Sequence, residues 1–258
     1  MGALGPRHRE MARRLWEARC QRRTISPLTT EWPEMTVNDA YAIQDQLIEF
    51  HLAAGDRPIG FKLGFTSEEM RRAMGIGYPN YGILTASMVQ VSPAKGRDEW
   101  IHPRVEPEIA LRLGRELSGA ELSRDQVAAA VTGVAPALEI VDSRYRDFRF
   151  TFLDNTADNS SAAGVVLGEW QDPAGVSFES LRVTLSDGSQ EFTGVSTAVM
   201  GSPLAAVSWL AAELARFGRS VPTGSVVLTG GMTAPLVLNP GSRVGGDFGW
   251  LGTVVIQR

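Results

Sequence analysis

Lysine is almost missing from this chain: of 25 basic side chains only Lys62 and Lys95 are lysine, leaving 23 arginines. A single cysteine, Cys20, excludes an internal disulfide and predicts a reducing, cytoplasmic setting. Histidine occurs only at His8, His51 and His102, too sparsely for a multi-histidine metal site. No apolar run reaches the roughly 18–20 residues that a membrane span needs, and the first eight residues lack the apolar core of a secretory signal. Basic residues are scattered and the net charge is −4, which argues against an electrostatic footprint for nucleic acid. With 258 residues, 43% of them hydrophobic, the chain can bury one sizeable core and a smaller N-terminal part.

Residues 6–22 read as a basic amphipathic helix with Met11, Leu15 and Trp16 on one side. Pro27 and Pro33 bracket a loop, and Thr36 offers an N-cap for a helix running to about Ala54. An apolar strand, Ile59–Phe65, follows, and Thr66-Ser-Glu-Glu69 predicts the capped start of a short helix ending near Met74. Gly75 to Gly82 reads as a loop before an apolar stretch from Ile83 to Val91. Beyond residue 100 the pattern is mostly strand, at 105–113, 133–142, 163–168, 180–186, 190–197, 225–229 and 250–257. Two helices interrupt it, one at about 124–131 and one opened by Ser202 and Pro203 and stopped at Gly218. The order predicts an α+β fold, a mixed β-roll or sandwich at 58–258 with a helical segment at 1–57, rather than a Rossmann sheet.

Glu106 and Glu108 lie one residue apart in a strand, so both carboxylates leave it on the same face. Adjacent carboxylates repel unless something positive sits between them. Glu139 lies in another apolar strand, Ala135–Val141, where a charge also needs a partner. Three such acids suit a hard divalent cation, Mg²⁺ or Mn²⁺; the alternative is ion pairing on an exposed face with Arg104 and Arg112. Lys62, in its apolar strand, points to a compact or proton-exchanging ammonium, or to a side chain that snorkels from the strand end. Asp154–Gly164 is dense in small polar groups, so Ser161 and its neighbours could hold a carboxylate or form a turn of Asx motifs. Thr229 and Gly230, after an apolar strand, either let backbone approach a ligand or shape a hairpin.

Taken in order, Gly60-Phe-Lys-Leu-Gly-Phe-Thr-Ser67, Pro79-Asn-Tyr-Gly-Ile-Leu84, Ile101-His-Pro-Arg-Val-Glu-Pro-Glu108, Glu139-Ile-Val-Asp-Ser-Arg-Tyr145, Ala157-Asp-Asn-Ser-Ser161 and Thr229-Gly-Gly-Met-Thr233 resemble one family. It is the hydratase/decarboxylase family of the catechol meta-cleavage pathway, within the fumarylacetoacetate-hydrolase-like superfamily. The resemblance covers the chain from about residue 30 to its end. It implies a mixed β fold of the fumarylacetoacetate-hydrolase C-terminal-domain type, and Mg²⁺ or Mn²⁺ at Glu106, Glu108 and Glu139. Lys62 is then a catalytic lysine in the pocket and Ser161 a substrate-binding serine.

The same resemblance implies a 2-oxo acid substrate, a homo-oligomer and association with the pathway's partner hydratase or decarboxylase. Hydratases carry an aspartate where this chain has Asn80, itself expected to contact the substrate, and an amide cannot exchange protons as a carboxylate does. That difference, with the Ser143–Phe150 and Thr229–Thr233 segments, favours decarboxylation of 4-oxalocrotonate over hydration of 2-oxopent-4-enoate. Leu84 and Met74 are expected to line an apolar pocket for the leaving group. Hydrolysis of an acylpyruvate, the remaining enzymatic alternative, would draw on His102 as its base.

Overall fold

The computed structural model describes residues 5–258, without the side chains of Met70, Ala73 and Met74. Its helices are α1 (Pro6–Cys20), α2 (Leu28–Glu31), α3 (Val37–Ala53), α4 (Glu68–Met74), α5 (Arg124–Ala128), α6 (Phe152–Ala157) and α7 (Pro203–Arg216). The first strands are β1 (Pro58–Gly64), β2 (Asn80–Thr85), β3 (Val89–Val91), β4 (Ala94–Lys95), β5 (Arg104–Leu113), β6 (Val131–Val141) and β7 (Ala162–Leu167). They are followed by β8 (Arg182–Ser186), β9 (Glu191–Val195), β10 (Val226–Leu228), β11 (Leu236–Val237), β12 (Arg243–Asp247) and β13 (Thr253–Gln257).

Two sheets result. The larger has the order β2-β1-β10-β5-β6-β7-β3, with β11 added beside β5; the smaller runs β4-β13-β12-β8-β9. Strands β2 and β3 occupy opposite ends of the larger sheet, yet only the turn Ala86–Met88 separates them in sequence. So short a link cannot span a flat sheet of strands spaced about 4.8 Å apart. The sheet therefore curls. Its concave face is lined by Ala110, Ala135, Ala137 and Ala162, with Leu84 from one end and Val165 from the other in the same buried cluster. Small side chains there let the two ends approach.

The convex face carries Ile109, Leu111, Val134 and Leu138, which pack on α7 and on Val183, Leu185, Val244 and Val254 of the smaller sheet. Helix α7 begins as expected: the Ser202 hydroxyl accepts from the Leu204 amide, and Pro203 follows at the first helical position. Gly218, at φ +67°, ends it while the Arg219 amide donates to the Leu214 carbonyl. By length and composition Ser196–Arg216 could cross a membrane, contrary to the expectation that no segment would qualify. Helix α7 itself has 14 residues, about 21 Å of helix, and buries Leu204, Val207, Leu210 and Leu214 in the core.

Near the N-terminus, Met11 and Leu15 of α1 and Ile43 and Leu47 of α3 form a second cluster with Tyr145 and Ala157. Helix α3 starts at the Thr36 cap, whose hydroxyl accepts from the Asp39 amide. Several segments differ from expectation, among them the Pro27–Pro33 loop, which contains α2. Strand β2 already begins at Asn80, because Asn80 and Tyr81 pair with Gly64 and Leu63. Residues 152–157 form α6, capped by Thr151, where only a turn was expected. Strand β12 contains Gly245 and Gly246, a pair that reads as a break but is held between β8 and β13.

Candidate metal centre and active site

In the β5/β6 ladder Glu106 lies directly opposite Glu139, and Glu108 opposite Ala137. Cross-strand partners share a face, so the three acids project together from the concave side. One oxygen from each lies within 4.8 Å of the others. The backbone amide of Gly230 donates to Glu108 Oε2 at 2.7 Å. Glu108 Oε1 and both Glu139 oxygens are buried without a hydrogen-bond partner.

Lys62 reaches this cluster from β1, with Nζ 3.2 Å from Glu139 Oε1. It also donates to the Ser160 carbonyl at 3.0 Å and to Ser160 Oγ at 3.2 Å. Its side chain is 3% exposed, which rules out snorkelling. Burial penalises the ammonium, but Glu139, Glu106 and Glu108 outweigh it and the net shift is upward. Lys62 is therefore a cation at neutral pH. Burial and Glu139 push Glu106 up to about 7, against the pull of Lys62 and Arg104, and the same two causes raise Glu108 well above the usual carboxylate range.

One ammonium cannot balance three carboxylates, two of them buried and the third, Glu106, half-buried at the cavity. The unpartnered oxygens, their convergence and an all-carboxylate donor set fit a hard divalent cation. Arginine acts on the acids only through space and pairs with none of them among the described residues: Arg104 lies over Phe148 with Cζ 4.0 Å from the ring centroid, and Arg112 lies over Trp170. The alternative of arginine-paired surface acids is excluded.

A cavity of about 870 Å³ opens onto this centre, with Lys62, Glu106, Ser160, Ser161, Arg104 and Phe148 among its lining. Its serine wall has an unusual backbone. Asn159, Ser160 and Ser161 are all left-handed, at φ +52°, +52° and +58°, a conformation that L-residues seldom adopt in succession. Side chains hold it in place. Asn159 exchanges two hydrogen bonds with the Ile83 backbone, at 2.7 and 2.9 Å. Arg144 and Asp158 form a buried ion pair on the preceding turn, and the Arg144 amide donates to the same carboxylate at 3.0 Å.

Asn80 supports the wall from behind. Its Oδ1 accepts from Ser160 Oγ at 2.9 Å, and its Nδ2 donates to Asn155 Oδ1 and Thr156 Oγ1, each at 2.9 Å. Asn155 in turn donates to Ser161 Oγ at 3.0 Å. A Cβ at position 64 would overlap Asn80 Oδ1 and Ser160 Oγ, so glycine is required there.

Lys62, Glu106 and Ser161 thus line the cavity, Glu108 and Glu139 lie buried beside them, and Asn80 and Gly230 act one contact behind. Leu84 does not line it: the side chain shares the concave face but is fully buried in the apolar cluster with Met88 and Leu228. Nor does Thr229, whose hydroxyl donates to the Ile109 carbonyl at 3.0 Å. The side chain of Met74 lies outside the described residues. His102 Nε2 donates to the Ser143 carbonyl at 2.7 Å, and His102 is not among the residues lining the cavity. Arg104 and Phe148 were missed as cavity residues, although Arg104, two positions before Glu106, had to share its face.

No family model matches the chain. It is 39% identical over 250 residues to a 2-hydroxyhexa-2,4-dienoate hydratase of Comamonas testosteroni, covering 95% of this chain and 94% of that protein. It is 38% identical over 246 residues to a 4-oxalocrotonate decarboxylase of a Pseudomonas species, covering 95% of each. The chain belongs to the hydratase/decarboxylase family of the catechol meta-cleavage pathway. Its fold matches a 4-oxalocrotonate decarboxylase from Pseudomonas putida G7, solved with magnesium and adipate, at a TM-score of 0.94 and 30% identity over 97% of both chains. The fumarylacetoacetate-hydrolase-like fold and lyase class expected from the sequence are those of the family.

Proposed function

We propose that this lyase decarboxylates 4-oxalocrotonate to 2-hydroxypenta-2,4-dienoate, with Mg²⁺ or Mn²⁺ held by Glu106, Glu108 and Glu139. The observation that carries the reading is the meeting of three carboxylates, two buried and one half-buried, with a single lysine beside a cavity. Bound there, the cation supplies a Lewis acid for the 1-carboxylate and 2-oxo group of the substrate.

The chemistry then asks little of the protein beyond charge placement. As CO₂ leaves the far end, electrons run through the double bond toward the C2 oxygen. The ammonium of Lys62 sits where it can stabilise that negative charge or handle its proton. Ser161, fixed by Asn155, is placed to donate its hydroxyl to the 1-carboxylate. Val141, Phe150 and Met232 give the cavity apolar wall for the carbon chain of the substrate.

Asn80 favours decarboxylation over hydration, because every polar atom of its amide is already engaged and it cannot carry a proton to or from water. The alternative is hydration of 2-oxopent-4-enoate with the same metal and lysine, supported by hydratases among the relatives. Incubation with Mg²⁺ and each substrate, with and without EDTA, tests both. CO₂ release from 4-oxalocrotonate is the expected outcome; conversion of 2-hydroxypentadienoate to 4-hydroxy-2-oxopentanoate without CO₂ release would select the hydratase.

The reading takes residues 58–258 as the catalytic unit, with residues 1–57 packed around it. It places the protein in the cytoplasm as a homo-oligomer able to associate with the pathway's companion hydratase or decarboxylase, and gives it no membrane or nucleic-acid partner.

A further inference from the structure

Two cations, Lys62 and Arg104, stand among the described residues that line the cavity. Lys62 is engaged with Glu139 and Ser160. Among the described residues the guanidinium of Arg104 makes no hydrogen bond and no ion pair; it is seated on the Phe148 ring at 4.0 Å. A guanidinium held flat against an aromatic face keeps its N–H edge free for a planar anion. Glu106, Glu69, Asp147 and Glu191 also line the cavity, so an anionic group entering it meets repulsion unless it reaches Arg104.

Position adds the rest. Arg104 and Glu106 are i and i+2 on β5, so both point to the cavity side with about 6.8 Å between their Cα atoms along the strand. That step is comparable to the length of a six-carbon chain. We infer that Arg104, seated on Phe148, binds the second carboxylate of a dicarboxylic 2-oxo acid whose other end lies at the acid cluster, and that it selects diacids over monoacids. The assignment rests on the metal-centre reading above. The charge on that carboxylate disappears as CO₂ departs, so Arg104 holds the reactant more tightly than the transition state. Its loss is expected to raise KM more than tenfold without lowering kcat in proportion.

Two analogues that cannot decarboxylate test this directly: 2-oxoadipate and 2-oxohexanoate, which share the 2-oxo acid head and differ only in the terminal carboxylate. Calorimetric titration with Mg²⁺ present is expected to show the wild type binding 2-oxoadipate at least tenfold tighter. In Arg104→Gln the ratio should fall to near one while 2-oxohexanoate affinity stays unchanged. Equal binding by the wild type, or an undiminished ratio in Arg104→Gln, overturns the assignment of Arg104 alone. Failure of the wild type to bind either analogue overturns the metal-centre reading and this assignment with it. Should Arg104→Gln not fold, Phe148→Leu removes the seat of the guanidinium and is expected to cut the ratio at least threefold; an unchanged ratio there also overturns the proposal.

Discussion

Lys62 Nζ lies 3.2 Å from Glu139 Oε1, yet neither oxygen of that carboxylate completes a hydrogen bond. The ammonium offsets one negative charge of three, and its hydrogen bonds go to Ser160. The centre is left short of positive charge and rich in lone pairs.

Removing the ammonium tests its role in turnover. Lys62→Met is expected to lower kcat by about 10²–10⁴-fold while Mg²⁺ still binds. Without metal the variant should lose about 3–5 kcal/mol of stability, because a buried pair has been broken on one side only. Steady-state kinetics and urea unfolding with and without EDTA read the two effects separately.

Glu139→Gln should behave in the opposite way. The substitution removes one of three mutually repelling charges, so the metal-free protein should be at least as stable as the wild type. The gain on adding Mg²⁺, about 2.7 kcal/mol for the wild type at a hundred times Kd, should largely vanish. Thermal unfolding across a Mg²⁺ titration checks this. A variant stabilised by Mg²⁺ as much as the wild type would remove Glu139 from the ligand set.

The pH dependence follows from Glu106, pushed up to about 7 by burial and Glu139. Between its ordinary value of 4.5 and about 7, the folded state holds a proton that the unfolded state has released. Stability in EDTA should therefore fall as pH rises through this window, by at most about 3 kcal/mol. Metal affinity should change in the other direction, because the ligand must be deprotonated. Unfolding in EDTA and Mg²⁺ titration between pH 5 and 8 (about the range set by that window) measure both slopes.

Asn80→Asp places a carboxylate against Asn155 Oδ1, an acceptor that now receives the amide N–H of Asn80. A protonated acid donates one hydrogen bond where the amide donates two, in a fully buried site, at a cost of about 1–3 kcal/mol. The new acid should stay protonated near neutral pH, and the Ser160 wall should loosen. The expected result is a lower melting temperature with a larger drop in kcat than in substrate affinity, read by calorimetry and steady-state kinetics.

Much of this centre was legible in the residue order. The two-residue spacing of Glu106 and Glu108 fixes a shared face, and isolated charges in apolar strands mark Glu139 and Lys62 as needing partners. Helix α7 was bounded by its own capping residues. What escaped depends on contacts distant in sequence. The left-handed run at Asn159–Ser161 is imposed by Ile83 and, through the neighbouring Asp158, by Arg144, both remote from it in sequence. Arg104 entered only in the alternative to the metal, as an ion-pair partner for the acids, because local spacing cannot show Phe148 folding beneath it. Leu84 was expected beside the leaving group as an apolar lining, but sequence does not show how deep on the shared face a side chain lies. Thr229 seemed free to meet a ligand until the neighbouring strand claimed its hydroxyl.

The link of three residues between the opposite ends of the larger sheet has a consequence for how this architecture varies. Lys62 stands on the strand next to one end and Glu139 on a strand near the other, so the spread between ammonium and acids is governed by the bore of the curl. Residues 86–88 act as a clasp on that bore. Lengthening the clasp would widen the tube and draw the lysine away from the carboxylates without altering a single residue of the centre itself.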